Sequence, residues 1–343
     1  MFKKSLSKFA ALTAVAALVA GVTVMSTGPV DAADVKFRLS TMAQPNSDAH
    51  KFLLDFAKQA GERTGGRAAI KVYPANQLGD WDEVHELVMQ GAVDMAMQSL
   101  STKFDQGLAL AWFPYTTLDY ASSKKAFSSG GLIYNIVDGL IAKQDMKLLG
   151  VYGYGMGGSG FTKPPPHPRD PNARQGTKCR VWPGGTTHRV LMERFGFTTA
   201  PVPWAELYTA RQTGVVDGQI GGTPELEVEN FADITKMWVQ YNDHFEPVWL
   251  VVNKSNFEKL SAADQKAVFD VAQELSAKRF EEMESADQKY LQVLRDKGAE
   301  VIILTDEELA KFAHIARTEV WPKIADEIGP EVMAKLKKEL GIK

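Results

Sequence analysis

The chain is poor in cysteine, because Cys179 is the single cysteine among 343 residues. A lone cysteine cannot form a disulfide within the chain, and its place in the run KCRVW favours a small buried side chain over a nucleophile. The six histidines are scattered, with no pair four residues apart, so the sequence predicts neither a metal site nor a cofactor. No nucleophile elbow and no phosphate-binding loop is present either.

Basic clusters are also missing. The 39 Lys and Arg residues stand against 42 Asp and Glu residues, and the formal charge is −3. Proteins that bind nucleic acid present a basic stripe, so this composition argues against a nucleic-acid partner. With 45% hydrophobic residues, the chain has ample apolar content for globular cores, and it is long enough for two domains.

The N-terminus has the three regions of a secretory signal peptide. Residues 1–8 are basic, residues 9–25 are mostly apolar, and residues 30–32 (VDA) end in the small residue that signal peptidase requires. We therefore expect residues 1–33 to be removed and the mature protein to be periplasmic. A membrane anchor is the alternative, although the apolar stretch is short for a bilayer span of about 20 residues.

Strand and helix patterns alternate along the mature chain. The order β-α-β-α-β is predicted at residues 35–41, 47–63, 69–73, 82–90 and 93–98. Strands separated by helices of this length predict parallel crossovers and an α/β sheet. Ligands bind such sheets at the carboxyl ends of the strands, which indicates the loops at residues 41–46 and 99–102.

A long helix is predicted near the C-terminus. Ser261 and Asp264 resemble a capping box, and no Gly or Pro interrupts the chain from there to Lys297. One helix of this length would reach about 50 Å, enough to span two lobes. Two helices with a bend are the alternative.

A further helix pattern and a glycine-rich string lie in the middle of the chain. Residues 122–145 have the pattern of a helix. The string GYGMGG at residues 153–158 fits G-x-G-x-x-G, but three prolines soon follow and exclude the helix that a dinucleotide site requires. We interpret it as a flexible or tightly approached loop.

Arg180 is the strongest candidate for a ligand-binding residue. It lies in the predicted strand 178–182, which two glycines end before Thr186 or Thr187 caps a helix. A guanidinium fork beside the free N–H groups of a helix N-terminus suits a carboxylate or another small anion. The alternative is a structural ion pair between Arg180 and a neighbouring acid.

An ordered series of segments carries a family resemblance. These are RTGGR at 63–67, a strand at 70–73, NQLG at 76–79, QGAVDMA at 90–96, KCRV at 178–181, PVP at 201–203 and ELYTARQTGVVDG at 206–218. In this order they resemble the DctP-type substrate-binding proteins of tripartite ATP-independent periplasmic (TRAP) transporters, over nearly the full mature chain.

The resemblance implies a two-lobed α/β periplasmic binding protein fold, with a hinge and a long helix that spans both lobes. We place lobe I at residues 34–155 and 247–285, and lobe II at residues 156–246 and 286–343. It also implies a bound organic acid, whose carboxylate pairs with the Arg of the K-x-R-V strand, which is Arg180 here. The partner that receives the solute would be a TRAP membrane permease.

Two departures from the family pattern bear on the ligand. The chain has IGG at residues 220–222 where many members have an acidic residue and an Asn, and MGGS at 156–159 where many members with acidic-sugar ligands bring a second Arg. A single cation argues against a dicarboxylate, and the glycines would leave room. Three tryptophans, at 182, 204 and 249, could stack on a ring or cover an alkyl chain. We therefore expect a monocarboxylate with an apolar or aromatic body.

The predicted ligand contacts are Arg180, Trp182, Trp204 and Gly221, with Gln77, Ser99 and Thr102 from the first lobe. We expect a binding protein and not an enzyme. One alternative is an exported enzyme with His188 as base near Arg180, although that His lacks an orienting partner and a nucleophile. Another is a receptor that signals to a membrane kinase. We expect a monomer or a weak dimer.

Overall fold

The computed structural model describes residues 35–341. The predicted signal peptide, residues 1–33, lies outside this range. No helix within the range is long and apolar enough to cross a membrane.

The described chain alternates between strands and helices. The strands are β1 (Val35–Thr41), β2 (Ala68–Tyr73), β3 (Met95–Gln98), β4 (Met146–Met156), β5 (Gly158–Phe161), β6 (Lys178–Val181), β7 (Thr198–Pro201), β8 (Gly218–Gly222), β9 (Met237–Gln240), β10 (Phe245–Asn253) and β11 (Glu300–Ile303). The helices are α1 (Asp48–Arg63), α2 (Trp81–Met89), α3 (Tyr120–Phe127), α4 (Leu132–Ala142), α5 (Thr186–Arg194), α6 (Leu207–Gln212), α7 (Pro224–Phe231), α8 (Lys254–Phe257), α9 (Ala262–Asp296), α10 (Asp306–Ile315), α11 (Trp321–Ile324) and α12 (Pro330–Glu339). Short 3₁₀ helices lie at Gln106–Trp112, Trp204–Glu206 and Ala325–Glu327, and a π-helical turn lies at Ala316–Val320.

The strands form two mixed sheets, and the fold is α/β as predicted. The first sheet has the order β2-β1-β3-β10-β4, and the second has the order β11-β9-β5-β8-β6-β7. Strand β1 pairs in parallel with β2 and β3, which confirms the predicted parallel crossovers. Strand β10 pairs antiparallel with β3 and β4, because the chain returns to the first sheet from the second. In the second sheet, β6 pairs in parallel with β7 and β8.

The chain crosses between the two sheets once along α9 and twice at two adjacent places, which form the hinge. In the first crossing, Gly157 alone separates β4 from β5. The second crossing is residues 241–244, between β9 and β10. The two crossings are joined where the backbone N–H of Gly157 donates to the carbonyl of His244 at 2.7 Å.

Helix α9 is one continuous helix that contacts both sheets, as predicted. Ser261 caps it by accepting a hydrogen bond from the backbone of Asp264. Val268 lies in the core of the first sheet, and Leu291 and Leu294 pack in a core cluster with Trp238 of the second. The alternative of two helices with a bend is not observed, because α9 runs unbroken through all of its 35 residues.

The glycine string at 153–158 is not a loop, contrary to the prediction. Its first four residues continue β4, and Gly158 begins β5. A Cβ at Gly153 would overlap the sulfur of Met283, and one at Gly155 would overlap the carboxylate of Asp287, both on α9. The tight approach was therefore predicted correctly, but the glycines lie in strands because they let α9 pack directly on the backbone.

The helix predicted at residues 122–145 is two helices, α3 and α4. They are separated by a turn in which Gly130 has a φ of 84°. A Cβ at Gly131 would overlap the carbonyls of Lys125 and Ala126, so this position needs glycine. The apolar period continues across the break, and it therefore did not reveal the turn.

The hinge glycine offers a stability test. We expect Gly157→Ala to lower the free energy of unfolding by about 1–3 kcal/mol, because the new Cβ would overlap the buried ring of His244. Urea unfolding measures this change. The control is Gly139→Ala in α4, where no atom beyond the adjacent residues and the helix's own backbone lies within 4 Å of the added Cβ and a gain of about 0.5–1 kcal/mol is expected. Equal effects of the two substitutions would contradict the tight packing at the hinge.

Candidate ligand-binding cleft

A cleft of about 540 Å³, including the part open to solvent, lies between the two sheets. It is built largely from residues at or after the carboxyl ends of strands, where ligands bind in α/β folds. The lining residues are Met42, Asp80, Trp81, Ser99, Trp112, Arg180, Trp182, Trp204, Gly221, Leu226 and Glu246.

Arg180 lies on β6 with 3% of its surface exposed. Its Nε donates to the carbonyl of Val202 at 2.9 Å, and its guanidinium carbon lies 5.6 Å from the ring centroid of Trp204. Among residues 35–341, no carboxylate forms an ion pair with it, so the structural ion pair considered above is not formed. Burial lowers the pKa of Arg180 to about 10, and the carboxylates of Glu246 and Asp80 oppose this shift. The side chain is therefore a fixed cation whose terminal nitrogens remain available to an anion.

Four indole rings surround the cleft. The ring centroids of Trp81 and Trp112 lie 6.4 Å apart, and those of Trp112 and Trp182 lie 5.9 Å apart, in edge-to-face arrangements. Trp204 completes the wall next to Arg180. Edge-to-face indoles support each other in fixed orientations, so the cleft presents a largely apolar, rigid surface.

Glu246 is the carboxylate at the floor of the cleft, and a buried network orients it. It accepts hydrogen bonds from Trp112 Nε1 at 3.1 Å and from His244 Nε2 at 2.9 Å. The other nitrogen of His244 lies 2.6 Å from Asp243. Burial disfavours a charged imidazole, but Asp243 and Glu246 hold the pKa of His244 at about 10. His244 is therefore a cation at neutral pH that fixes the two acids on either side.

The structure brings five of the seven predicted contact residues to the cleft. These are Arg180, Trp182, Trp204, Gly221 and Ser99. The other two, Gln77 and Thr102, do not line it: Gln77 is exposed on the loop before α2, and Thr102 lies near the backbone of Gly184. The N-terminus of α2 instead brings Asp80 and Trp81 to the cleft. Contact with a ligand stays a prediction for all seven.

The glycines do not leave the room expected of them. The space beside Gly221, which has a φ of 90°, is filled by the ring of Trp182. A Cβ at Gly157 or Gly158 would overlap His244 or Trp238. Aromatic rings packed on the backbone therefore take the place of the missing side chains.

Trp249 does not reach the cleft, contrary to the expectation. It is fully buried on β10, with its ring centroid 6.2 Å from that of Phe127. In this part of β10 both faces are covered, so alternation along the strand does not carry the side chain to a surface.

The helix after Arg180 also differs from the prediction. Its N-cap is Gly185 with no side-chain cap, so Thr186 and Thr187 lie inside α5. None of these residues lines the cleft. Its N-terminal N–H groups are therefore not part of the cleft wall, and Arg180 is left as the anion-binding group there.

His188 has the orienting partners that the sequence did not reveal. Its Nδ1 lies 3.2 Å from Thr187 Oγ1, and its Nε2 lies 3.4 Å from Asp243. The ring is fully buried beneath Trp182, and burial lowers its pKa. A base must reach its substrate, and this imidazole does not reach the cleft.

Six lining residues were not predicted as contacts: Met42, Asp80, Trp81, Trp112, Leu226 and Glu246. Asp80 also caps α2 by accepting a hydrogen bond from the backbone of Trp81. Met42 and Ser99 lie in the two loops that the strand pattern indicated. No local pattern indicated Glu246, because its place depends on the second crossing of the chain.

Two sheets, a two-strand hinge, a lobe-spanning helix and an interlobe cleft together define a two-lobed solute-binding protein. The fold agrees with that of a TRAP periplasmic solute binding protein from Desulfovibrio salexigens, crystallised with bound orotic acid, at a TM-score of 0.79 and 21% identity over 89% of this chain and 98% of that chain.

The chain belongs to the bacterial extracellular solute-binding protein family 7, also called DctP, whose sequence profile matches residues 39–327. It is similar to the C4-dicarboxylate-binding periplasmic protein DctP of Rhodobacter capsulatus, with 27% identity over 90% of this chain and 92% of the relative. It is also similar to the 2,3-diketo-L-gulonate-binding periplasmic protein YiaO of Escherichia coli, with 27% identity over 84% and 86%. Members of this family are solute receptors, which confirms the expectation of a binding protein and removes the enzyme alternative.

Proposed function

We propose that this protein is the periplasmic receptor of a TRAP transporter and that it binds an organic monocarboxylate with an apolar or aromatic body. The observation that carries the proposal is the buried Arg180 guanidinium, whose terminal nitrogens have no hydrogen-bond partner within residues 35–341. A guanidinium in this state matches a carboxylate with two parallel hydrogen bonds. The names of the relatives above, which refer to organic acids, support the same ligand class.

The body of the ligand is inferred from the rest of the lining. Arg180 is the single cationic side chain among the described lining residues, which disfavours a second carboxylate. Four tryptophans with Met42 and Leu226 supply apolar surface on the remaining walls. Burial of an alkyl chain or a ring there is worth about 25 cal/mol for each Å² removed from water.

Closure of the lobes around the bound solute would signal to the permease that the receptor carries its ligand. We retain the division into lobe I (34–155, 247–285) and lobe II (156–246, 286–343) as a proposal, which the adjacent crossings at Gly157 and residues 241–244 support. A solute that contacts both lobes binds the closed form better and shifts the population toward it. The permease would recognise that closed shape, and export to the periplasm would follow from the signal peptide at residues 1–33. A monomer or a weak dimer suffices for this role.

The Arg180→Ala substitution tests the proposal. Two charge-assisted hydrogen bonds at about 1.5–3 kcal/mol each predict that acid binding weakens at least about 100-fold. The measurement is a thermal-shift screen of the mature protein, from Asp34 onward, against a library of organic acids. At about 100 times the dissociation constant, a ligand adds about 2.7 kcal/mol and raises the melting temperature by several degrees.

A matched control is Arg189→Ala on α5. Arg189 is exposed and forms a surface ion pair with Glu193 at 3.3 Å, so its loss should leave every hit in place. Hits that survive Arg180→Ala would show that the anchor lies elsewhere. A library without hits would show that the ligand is not an organic acid.

A further inference from the structure

The lining of the cleft carries more negative than positive charge. Within the described residues, Arg180 is its single cation, whereas Asp80 and Glu246 are two carboxylates. Neither forms an ion pair with Arg180. Asp80 uses one oxygen to cap α2, and its second oxygen has no partner among residues 35–341. Both acids favour the charged form of Arg180, but its single positive charge balances only one of them.

The network beneath the floor does not change this balance. The charge of His244 is matched by Asp243, which lies 2.6 Å away and is fully buried. His188 is the other titratable side chain near Arg180, and it is buried away from the cleft. The cleft itself therefore keeps one uncompensated negative charge.

A plain monocarboxylate would increase this imbalance. With it bound, the closed cleft would hold three carboxylates and one guanidinium away from bulk water. Uncompensated charge in such a site is costly, because the low dielectric strengthens repulsion and removes hydration. A positive charge on the ligand itself would remove the excess.

A groove that adjoins the cleft also carries a net negative charge. This groove shares Asp80, Trp81, Arg180, Trp182 and Trp204 with the cleft, and it also contains Asp82, Glu83, Glu86 and Lys103. Lys103 is paired with Asp82 at 2.5 Å, so two acids remain unbalanced. An acidic groove beside the cleft raises the local concentration of cationic groups and lowers that of anions.

The indole rings suit a cation as well as an apolar body. A positively charged nitrogen is attracted to the face of an indole, more strongly when water is excluded. Trp81 follows Asp80 in the chain and donates its backbone N–H to it, and Trp112 donates a hydrogen bond to Glu246. An indole ring is thus a direct neighbour of each carboxylate.

We infer that the solute is a zwitterion, in which Arg180 binds the carboxylate and a positively charged nitrogen lies between the indole rings and the acids Asp80 and Glu246. This inference rests on the proposed function, since it narrows the ligand class of the same cleft. It predicts amino acids, betaines or cyclic nitrogen acids in preference to uncharged acids of equal shape.

Shape-matched pairs separate charge from size in the experiment. Glycine betaine and 3,3-dimethylbutanoate differ in one heavy atom, since a carbon replaces the charged nitrogen. L-proline and cyclopentanecarboxylate differ in the same way within a five-membered ring. Trigonelline and 3-methylbenzoate form an aromatic pair. The thermal-shift library is extended with amino acids and betaines, and every hit is titrated by calorimetry beside its uncharged isostere. We expect the zwitterion to bind at least about tenfold more tightly.

Asp80→Asn is the diagnostic variant, because asparagine caps helices as well as aspartate does and α2 should persist. The zwitterion should lose about tenfold or more in affinity, while the uncharged acid should bind equally well or better. Glu246→Gln should act in the same direction. Asp119→Asn, which caps α3 on the surface outside the cleft, is the matched control and should leave the preference unchanged.

Two results would overturn the inference: hits confined to acids without a cationic nitrogen, or isosteres that bind as tightly as the zwitterions. In both cases the hits would still disappear in Arg180→Ala, so the receptor proposal would stand. Failure of the receptor proposal gives a different pattern, in which no acid of either kind binds or binding ignores Arg180.

Discussion

Replacing Glu227 by glutamine is expected to lower the free energy of unfolding by about 3–5 kcal/mol. Glu227 lies on α7 and accepts hydrogen bonds from Arg211 at 2.8 and 3.1 Å and from Gln219 at 3.0 Å. Thr235 donates a further hydrogen bond to it. Both members of the ion pair are completely buried, so glutamine would leave the guanidinium without a counter-charge and without water.

The measurement is urea unfolding together with the melting temperature, which should fall by about 5–8 °C for a chain of this length. Glu331→Gln is the control, because its ion pair with Lys335 at 2.8 Å is exposed and should contribute less than about 1 kcal/mol. The double variant Arg211→Met with Glu227→Leu should recover much of the loss, since an apolar pair replaces both charges. If Glu227→Gln lowers the free energy of unfolding no more than the control does, the buried ion pair between Arg211 and Glu227 does not stabilise the fold as argued.

The second large effect is expected for Arg279→Met, and it should depend on pH. Arg279 lies on α9 and donates to the carbonyl of Gly153 at 2.7 Å and to Glu225 at 2.6 Å. Tyr152 donates to the same carboxylate at 2.7 Å. This buried network joins β4 of the first sheet to α7, which follows β8 of the second. Removing the arginine should cost about 3–5 kcal/mol when Glu225 is ionised.

The direction of the pH dependence follows from Glu225. Burial raises its pKa, and Arg279 is the main group that opposes this shift. Without Arg279 the pKa rises further, so the folded variant takes up a proton that the unfolded chain does not bind. A carboxyl group with a raised folded pKa stabilises the fold at low pH and loses that contribution as pH rises through the pKa. The variant should therefore be less damaged near about pH 5 than near about pH 8.

Urea unfolding at intervals between these two pH values measures the difference in stability between Arg279→Met and the wild type. The double variant Arg279→Met with Glu225→Gln removes the titrating group, and its deficit should be nearly constant over the range. A deficit of the single variant that does not change with pH would show that Glu225 does not titrate in the fold.

Local sequence signals were sufficient to predict β1 and α9. Strand β1 was predicted at its observed bounds, and α9 was predicted with its cap at Ser261. These signals act between residues close in the chain, through side-chain alternation, apolar spacing and a hydroxyl that accepts from the first turn. The helix pattern at residues 122–145 failed because the break between α3 and α4 depends on one crowded glycine position and not on apolar spacing.

The sequence by itself determined the α/β class, the lobe-spanning helix, the family and the position of Arg180 on a strand that ends at the ligand edge. Tertiary structure decided that Trp182 and Trp204 face the cleft while Trp249 lies in the core, and that the hinge glycines receive side chains from distant segments. It also decided the charge of the cleft, because Asp80 and Glu246 are brought beside Arg180 from separate parts of the chain. The reason is that local patterns depend on near neighbours, whereas the composition of a cleft depends on packing between residues far apart in sequence.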